Sequence, residues 1–277
     1  MKIENAIFIS DIHAGCRLAL CPLRVKLDNG GIYYASKFQK YILECWNHFR
    51  TEWVPRVTRG KPFALIVNGD AMDHRHHGTT TQISQNTADQ QNIAYELLAP
   101  FVEESAIYYH IRGTEAHTGP AGEEEEKLAQ KLGAKPDEGG HYSRYEMYLE
   151  VGSCLVHVTH HIGVTGSLHY ETTALMSEFA EATSDAARWG VRPPNIVVRS
   201  HRHRHAEIRV PTANMYGYCF TTPGWQLKTP YVFRGRGRIS MPQLGGSLVR
   251  QGDEEFYTRH QTYSIKRPKI ETPKVEK

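Results

Sequence analysis

The chain has 277 residues and a net charge of +3, with 40% hydrophobic and 23% charged residues. This length allows one domain with a sizeable core, and because no run approaches the length of a membrane span we expect a soluble, cytoplasmic protein. Five cysteines, an odd number without a C-x-x-C pair, argue against a disulfide framework and against a zinc knuckle.

Runs rich in β-branched or aromatic residues predict strands at residues 6–9, 63–67, 107–111, 155–159 and 196–199. Amphipathic patterns predict helices within 34–53, over 87–104 and over 175–189, and four glutamates favoured by the helix dipole open another at 123–132. We interpret the aromatic stripe of the first helix as core. A hairpin is predicted at 145–151 and 154–159, and further strands at 206–210 and 216–222. This order predicts a layered α/β fold with a mixed sheet.

Each of the first five predicted strands is followed directly by a short motif that contains Asp, Glu or His. The motifs are Asp11-Ile12-His13, Gly69-Asp70-Ala71-Met72-Asp73, Gly113-Thr114-Glu115-Ala116-His117, His160-His161 and Ser200-His201-Arg202-His203. Because strands deliver their terminal residues to one end of a sheet, we expect these imidazoles and carboxylates to converge. Their convergence would form a metal site.

In order, spacing and residue type, the motifs resemble those of the calcineurin-like metallophosphoesterase family: D-x-H, GD-x-x-D, GNH-D/E, a single His and GH-x-H. The resemblance covers about residues 5–205, with Ser200 in place of the last Gly. It implies an α/β fold of four layers, an αββα sandwich with mixed sheets, and metal-dependent phosphoesterase activity. It also implies two divalent metal ions. We expect Mn²⁺, with Fe²⁺, Zn²⁺, Ni²⁺ or Mg²⁺ as alternatives.

Carried over residue by residue, the resemblance implies two sets of ligands that share one carboxylate. The ligands of the first ion would be Asp11, His13, Asp70 and His203. Those of the second ion would be Asp70, His160 and His201. Asp70 would therefore bridge the two ions, as two-metal phosphoester hydrolysis requires.

The third motif departs from the family pattern, because Gly113-Thr114-Glu115 stands where Gly-Asn-His is expected. Thr114 aligns with the missing Asn, but its neutral hydroxyl is a poor ligand, whereas Glu115 offers an anionic oxygen suited to Mn²⁺ or Mg²⁺. We expect Glu115 to complete the second site, with Thr114 or neither residue as alternatives. The histidine of the motif would be His117, which we assign as the general acid near the leaving group.

Positive charge is concentrated in residues 188–250, which contain eleven Lys and Arg but one acidic residue, Glu207. Such a cluster attracts anions, and the interleaved aromatic residues suit stacking on nucleobases. Arg202 and Arg204 flank the motif histidines, so we predict that they bind the substrate phosphate. The expected partner is a phosphoester substrate, with DNA or RNA as candidates.

These features predict a single catalytic domain over residues 1–265 and a basic, Lys/Pro-rich tail over 266–277. The predicted function is a phosphoester hydrolase with a dinuclear metal site, a phosphodiesterase or nuclease that acts on nucleic acid or nucleotides through a metal-activated hydroxide. Two alternatives stay open. One is a phosphomonoesterase or phosphoprotein phosphatase, and the other is a non-catalytic nucleic-acid-binding protein with a degenerate metal site.

Overall fold

The computed structural model describes residues 2–163, 168–213, 215–234, 241–253, 255–265 and 270–273. These residues form two large sheets and one small hairpin. The strands of the first sheet are β1 (Asn5–Ile9), β4 (Ala64–Asn68), β5 (Ile107–Ile111), β6 (Ser143–Arg144), β12 (Leu244–Gln251) and β13 (Phe256–Tyr263). Those of the second sheet are β7 (Glu146–Val151), β8 (Cys154–Thr159), β9 (Ile196–Arg199), β10 (Ala206–Pro211) and β11 (Tyr216–Thr221). The hairpin pairs β2 (Arg24–Lys26) with β3 (Ile32–Tyr34).

In chain order, most helices lie between two strands. They are α1 (Lys37–His48), α2 (Val54–Thr58), α3 (Thr87–Glu104), α4 (Glu115–Thr118), α5 (Glu123–Lys131), α6 (Glu171–Trp189) and α7 (Pro230–Arg234). A π-helical turn, Phe49–Trp53, joins α1 to α2. Ser36 begins α1 with a capping box, because its hydroxyl accepts from the N–H of Gln39 while the Gln39 side chain accepts from the N–H of Ser36. No helix in the described ranges combines the length and apolar composition needed to cross a bilayer.

Both sheets are mixed. The first has the order β13-β12-β1-β4-β5-β6, in which β1, β4, β5 and β6 are parallel and β12 is antiparallel to β1. The second has the order β10-β11-β9-β8-β7, in which β11, β9 and β8 are parallel and the two outer strands are antiparallel to their neighbours. The motif-bearing strands of each sheet are therefore parallel and end at the same edge.

Three hydrophobic cores separate four layers. Between the sheets, Phe8 of β1 lies in one core with Val198 of β9. Because side chains alternate along a strand, the neighbouring Ile7 faces the other way and lies in a core with Trp46 of α1. In the second sheet, Val197 belongs to a core with residues of α6. The predicted αββα sandwich is confirmed.

The aromatic stripe predicted within residues 34–53 lies partly in the core. Trp46, Phe49 and Trp53 are buried, whereas Tyr34 is 65% exposed and Phe38 is 62% exposed. Tyr34 lies outside the helix, because it belongs to β3 and α1 begins only at Lys37, whereas Phe38 lies in the first turn of α1 with its side chain in solvent. Of the predicted tail, residues 266–269 and 274–277 lie outside the described residues.

Candidate metal centre

The ends of five strands from both sheets meet at one edge of the sandwich. The strands β1, β4 and β5 lead into Asp11, Asp70 and Thr114, and β8 and β9 lead into His160 and His201. One carboxylate oxygen each of Asp11 and Asp70 and a ring nitrogen of His160 lie within 4.8 Å of one another. The two sheets therefore contribute to one cluster of potential metal ligands.

Asp11, His13 and His203 form a second group of this kind. Nε2 of His13 lies 3.1 Å from Nε2 of His203, which lies 3.2 Å from Oδ1 of Asp11. Two nitrogens bound tetrahedrally to one ion at about 2.1 Å would be about 3.4 Å apart, so the spacing suits a shared ion. Oδ1 of Asp11 is buried and has no hydrogen-bond partner among the described residues. The donor set of one carboxylate and two imidazoles fits a divalent transition metal.

Asp70 lies between the third motif and His160. Its Oδ1 accepts hydrogen bonds from the N–H and the hydroxyl of Thr114 at 2.7 and 2.9 Å, and its Oδ2 lies 3.1 Å from Nε2 of His160. Nδ1–H of His160 donates to the backbone carbonyl of Asn68 at 2.6 Å. This bond sets the tautomer of His160 and leaves Nε2 available as a ligand.

His160, His161 and His201 form a third group, in which the ligand atoms again lie within 4.8 Å of one another. His160 is buried, and the other two histidines are exposed. Of the two adjacent histidines only His160 is predicted as a ligand, because the family motif contains a single histidine there. The adjacent imidazole of His161 was the available signal for the additional residue.

His117 lies beside His13 of the second group and belongs with His13 and Asp73 to a further group of potential ligands. Its Nδ1–H donates to the backbone carbonyl of Asp73 at 2.7 Å, and its ring centroid is 4.4 Å from that of His13. The buried carboxylate of Asp73 lies 3.4 Å from Nδ1 of His13. Asp73 therefore orients both rings, although the sequence analysis does not name it as a site residue. Its position as the last residue of Gly69-Asp70-Ala71-Met72-Asp73 was the signal for it.

Glu115, predicted to complete the second site, lies apart from these groups. It is the first residue of α4, its side chain is exposed, and it belongs to none of the potential ligand groups of the described residues. The short helix begins at this point, which leaves Thr114 buried against Asp70 and Glu115 in solvent. The structure therefore does not bring Glu115 to the candidate metal centre.

Arg202 and Arg204, predicted to bind phosphate, have partners within the protein. Nη2 of Arg202 donates to the backbone carbonyl of Gly163 and its Nη1 lies 3.9 Å from Oε1 of Glu171, to which Nε of Arg204 donates. Other arginines of residues 188–250 are also paired: Arg188 with Asp185, Arg192 with Glu150, Arg199 with Glu178 and Arg209 with Glu255. All of these acidic partners lie outside the basic stretch, whereas Arg236 and Arg238 lie outside the described residues. For the arginines named here, the local sequence charge therefore overstates the positive charge available to a ligand.

The backbone is strained at most of the predicted ligands. The φ angle is 51° at Asp11, 47° at His13, 52° at Asp70, 69° at His201 and 52° at His203. Residues with a Cβ rarely adopt this left-handed region, and each such residue costs on the order of 1 kcal/mol. Strain of this kind persists where the surroundings impose it, and it is concentrated at functional sites in proteins.

Glu125 of α5 connects the loops after β4 and β5 from inside the protein. It is fully buried, and its two carboxylate oxygens accept from the N–H of Ala71 at 2.9 Å and the N–H of Gly113 at 2.6 Å. Ala71 follows Asp70 and Gly113 precedes Thr114, so this carboxylate sets the spacing of two motif loops. The sequence predicts only a dipole-stabilised helix start at this position.

The charges at Asp70 and His160 depend on each other. Burial acts to raise the pKa of Asp70, but attraction to His160 holds it well below its usual range. Burial acts to lower the pKa of His160, but attraction to Asp70 raises it to about 10. Although the surface of His201 is partly exposed, desolvation of its ring in the crowded site, reinforced by repulsion from His160, lowers its pKa to about 4. Without metal His160 is therefore an imidazolium at neutral pH, and a metal ion that binds there must displace its proton.

The fold and the site define an α/β sandwich protein with a candidate metal centre at the ends of its strands. The sequence matches no protein-family model and no curated protein.

Several solved structures are similar to this chain at low sequence identity. Vps29 from Entamoeba histolytica, complexed with Zn²⁺, is 11% identical with a TM-score of 0.41, and the match covers 93% of this chain and 98% of that chain. Vacuolar Protein Sorting 29 from Cryptosporidium parvum is 10% identical with a TM-score of 0.40, covering 96% and 100%. A metallophosphoesterase from Sphaerobacter thermophilus is 12% identical with a TM-score of 0.39, covering 95% and 89%.

Proposed function

We propose that this protein is a metal-dependent phosphoester hydrolase that prefers phosphodiesters. The observation that carries the proposal is the convergence of carboxylates and imidazoles from separate strand ends of both sheets. The left-handed backbone at most of these residues indicates that the arrangement is imposed by the fold. The resemblance of the motifs to those of calcineurin-like metallophosphoesterases supports the same reaction.

The residues present fit two divalent ions. Asp11, His13 and His203 would hold the first, while Asp70 would bridge to a second ion near His160 and His201. Oδ1 of Asp11 and Nε2 of His160 make no hydrogen bond in the described part of the chain. Each faces another potential ligand atom, Nε2 of His203 at 3.2 Å and Oδ2 of Asp70 at 3.1 Å, as the ligands of a shared ion would. When bound, the ions would supply a water of lowered pKa and neutralise negative charge on the phosphate.

We propose that His117 acts at the leaving group. Its Nδ1–H is committed to the carbonyl of Asp73, so only Nε2 is available for proton transfer. Burial lowers the pKa of His117 to about 3, and the ring is therefore neutral at pH 7 before substrate binds. A phosphate bound beside the ring would raise this pKa by attraction, and Nε2 could then deliver a proton to the leaving oxygen.

The substrate is proposed to be a nucleotide-sized phosphodiester. Proteins that bind a nucleic-acid backbone present unpaired cations along it, whereas Arg199, Arg202 and Arg204 are held by carboxylates of α6. A small diester needs only the local charge of the metal ions. DNA or RNA is the alternative substrate.

The experiment that tests the proposal compares hydrolysis of bis-p-nitrophenyl phosphate and p-nitrophenyl phosphate by metal-free protein reconstituted with Mn²⁺ or Zn²⁺. We expect metal-dependent turnover that favours the diester and is lost in Asp70→Asn, which removes the bridging charge. A preference for the monoester would indicate a phosphomonoesterase. Bound metal without hydrolysis of either compound would favour the non-catalytic alternative.

A further inference from the structure

We propose that His161 is a protein ligand of the second metal ion, in the position for which this chain has no Asn. The inference rests on the proposed metal centre and adds a residue that the motif comparison does not supply. It also changes the class of metal ion that the second site prefers.

Neither residue of the third motif supplies the missing ligand in this structure. Glu115 is exposed and lies outside the potential ligand groups of the described residues. Thr114 uses its hydroxyl as a hydrogen-bond donor to Asp70, with its Oγ1 at 2.9 Å from Oδ1 and 3.2 Å from Oδ2. A neutral hydroxyl already committed as a donor is a weak ligand for a divalent ion.

His161 is close to both other histidines of the second site. Its ring centroid is 4.9 Å from that of His201 and 5.4 Å from that of His160, and ligand atoms of all three rings lie within 4.8 Å of one another. Strand β8 ends at Thr159, so these two consecutive histidines are not bound by the alternation that would point them to opposite faces. The chain can therefore direct both imidazoles to one point.

An independent observation indicates that an ion belongs at this point. His160 is only 2% exposed, and its Nε2 makes no hydrogen bond within the described ranges but lies 3.1 Å from Oδ2 of Asp70. A buried imidazole nitrogen and a carboxylate oxygen this close together are a pair of ligand atoms that one divalent ion would join. His161 is exposed, so its side chain can move the short distance needed to bind the same ion.

The resulting donor set is three imidazoles and the shared carboxylate of Asp70. Imidazole-rich sites favour Zn²⁺, Fe²⁺, Co²⁺ or Ni²⁺ over Mg²⁺ and Mn²⁺, which prefer oxygen ligands. The second site is therefore expected to prefer a borderline transition metal, in contrast to the Mn²⁺ that the motif pattern suggests.

The test is titration of metal-free protein with Co²⁺, followed by its visible absorption and by equilibrium dialysis. We expect the wild type to bind two ions. His161→Ala should retain the first ion, bind the second at least about tenfold more weakly, and change the absorption of the second ion. His169→Ala, at an exposed histidine outside the ligand groups, is the matched control and should behave as the wild type.

Three results would overturn the inference. They are unchanged affinity and spectrum in His161→Ala, a loss of the second ion in Glu115→Gln or Thr114→Val instead, and binding of fewer than two ions by the wild type. Hydrolysis is measured separately. If His161→Ala weakens binding of the second ion but the wild type hydrolyses no phosphoester, this inference stands and the proposed hydrolase function is rejected. If the wild type hydrolyses phosphoesters but His161→Ala binds metal as the wild type does, the hydrolase function stands and this inference is rejected.

Discussion

At the scale of single residues, the candidate metal centre behaves as an ion pair when no metal is bound. Attraction to Asp70 overcomes burial and raises the pKa of His160 to about 10, while the pKa of Asp70 is held well below 3.8. The raised pKa of His160 contributes stability that is complete below about pH 6.5 and is lost as the pH rises through about 10. The lowered pKa of Asp70 contributes stability above pH 3.8 and loses it in more acidic solution.

The thermal stability of the metal-free protein should therefore fall between pH 6.5 and pH 10. Thermal unfolding in a chelating buffer measures this profile. His160→Gln, which cannot carry the charge, should lose less stability over the same range. Identical profiles for the wild type and His160→Gln would contradict the assignment of the proton to this pair.

Replacing His117 should lower turnover without removing metal. Because His117 is proposed to deliver a proton and not to hold an ion, His117→Ala should reduce kcat by roughly 10²–10⁴-fold. Steady-state kinetics with metal analysis of the same sample measures both quantities. Loss of an ion in this variant would instead indicate that His117 is a ligand. His117 lies close enough to His13 and Asp73 for the three to share an ion.

Gly113 is required by the close approach of two loops. A Cβ at this position would lie 2.2 Å from Oδ1 of Asp70. Gly113→Ala should therefore displace Asp70, destabilise the fold by roughly 1–3 kcal/mol and reduce bound metal. Gly163→Ala is the control, because its Cβ would meet no atom of the described residues within 4 Å. Wild-type metal content in Gly113→Ala would show that the loop can adjust.

At the scale of secondary-structure elements, α5 holds in place two of the loops that carry residues of the candidate metal centre. The buried carboxylate of Glu125 accepts from two backbone N–H groups, on the loops that carry Asp70 and Thr114. Glutamine at this position would place an amide donor against one of these N–H groups. A buried N–H left without an acceptor costs about 1–3 kcal/mol.

Glu125→Gln should therefore lower the free energy of unfolding by about 1–3 kcal/mol and weaken metal binding. Chemical denaturation and metal titration measure the two effects. Glu123→Gln on the same helix is the control, because the Glu123 side chain is 53% exposed and pairs only with Lys127 among the described residues. Equal effects of the two substitutions would show that Glu125 supports the metal centre no more than an exposed residue of the same helix does.

The last two strands, β12 and β13, are elements that periodicity does not predict. Gly245 and Gly246 lower the strand propensity of β12, although it pairs with β1, the strand that carries Asp11. A Cβ at Gly246 would lie 2.5 Å from the ring of Phe49, so the glycine permits close packing with the helical layer. A strand that contains glycines for close packing lacks the β-branched residues from which strands are predicted.

At the scale of the whole molecule, charge is balanced between distant parts of the sequence. The acidic side chains of Glu171 and Glu178 on α6 neutralise Arg199, Arg202 and Arg204 of the basic stretch. The protein should therefore bind oligonucleotides weakly, with a small dependence on salt.

Glu171→Gln should release Arg204 and strengthen oligonucleotide binding with a steeper salt dependence. Fluorescence anisotropy of a labelled single strand between 50 and 200 mM salt measures both quantities. Glu181→Gln, at an exposed position of the same helix, should leave binding unchanged. Tight, salt-sensitive binding by the wild type would instead support nucleic acid as the substrate.

Local sequence patterns predicted the strands that carry the motifs and a layered α/β fold, because hydrophobic periodicity and strand-end residues are local features, as at Asp11 after β1 and His160 after β8. The resemblance of the motifs to those of a known family implied the four layers. Which motif residues reach the centre became visible only in the folded structure. Beyond a strand end, side-chain direction depends on backbone angles and on contacts across the fold, and these leave Glu115 in solvent and bring His161 beside His201.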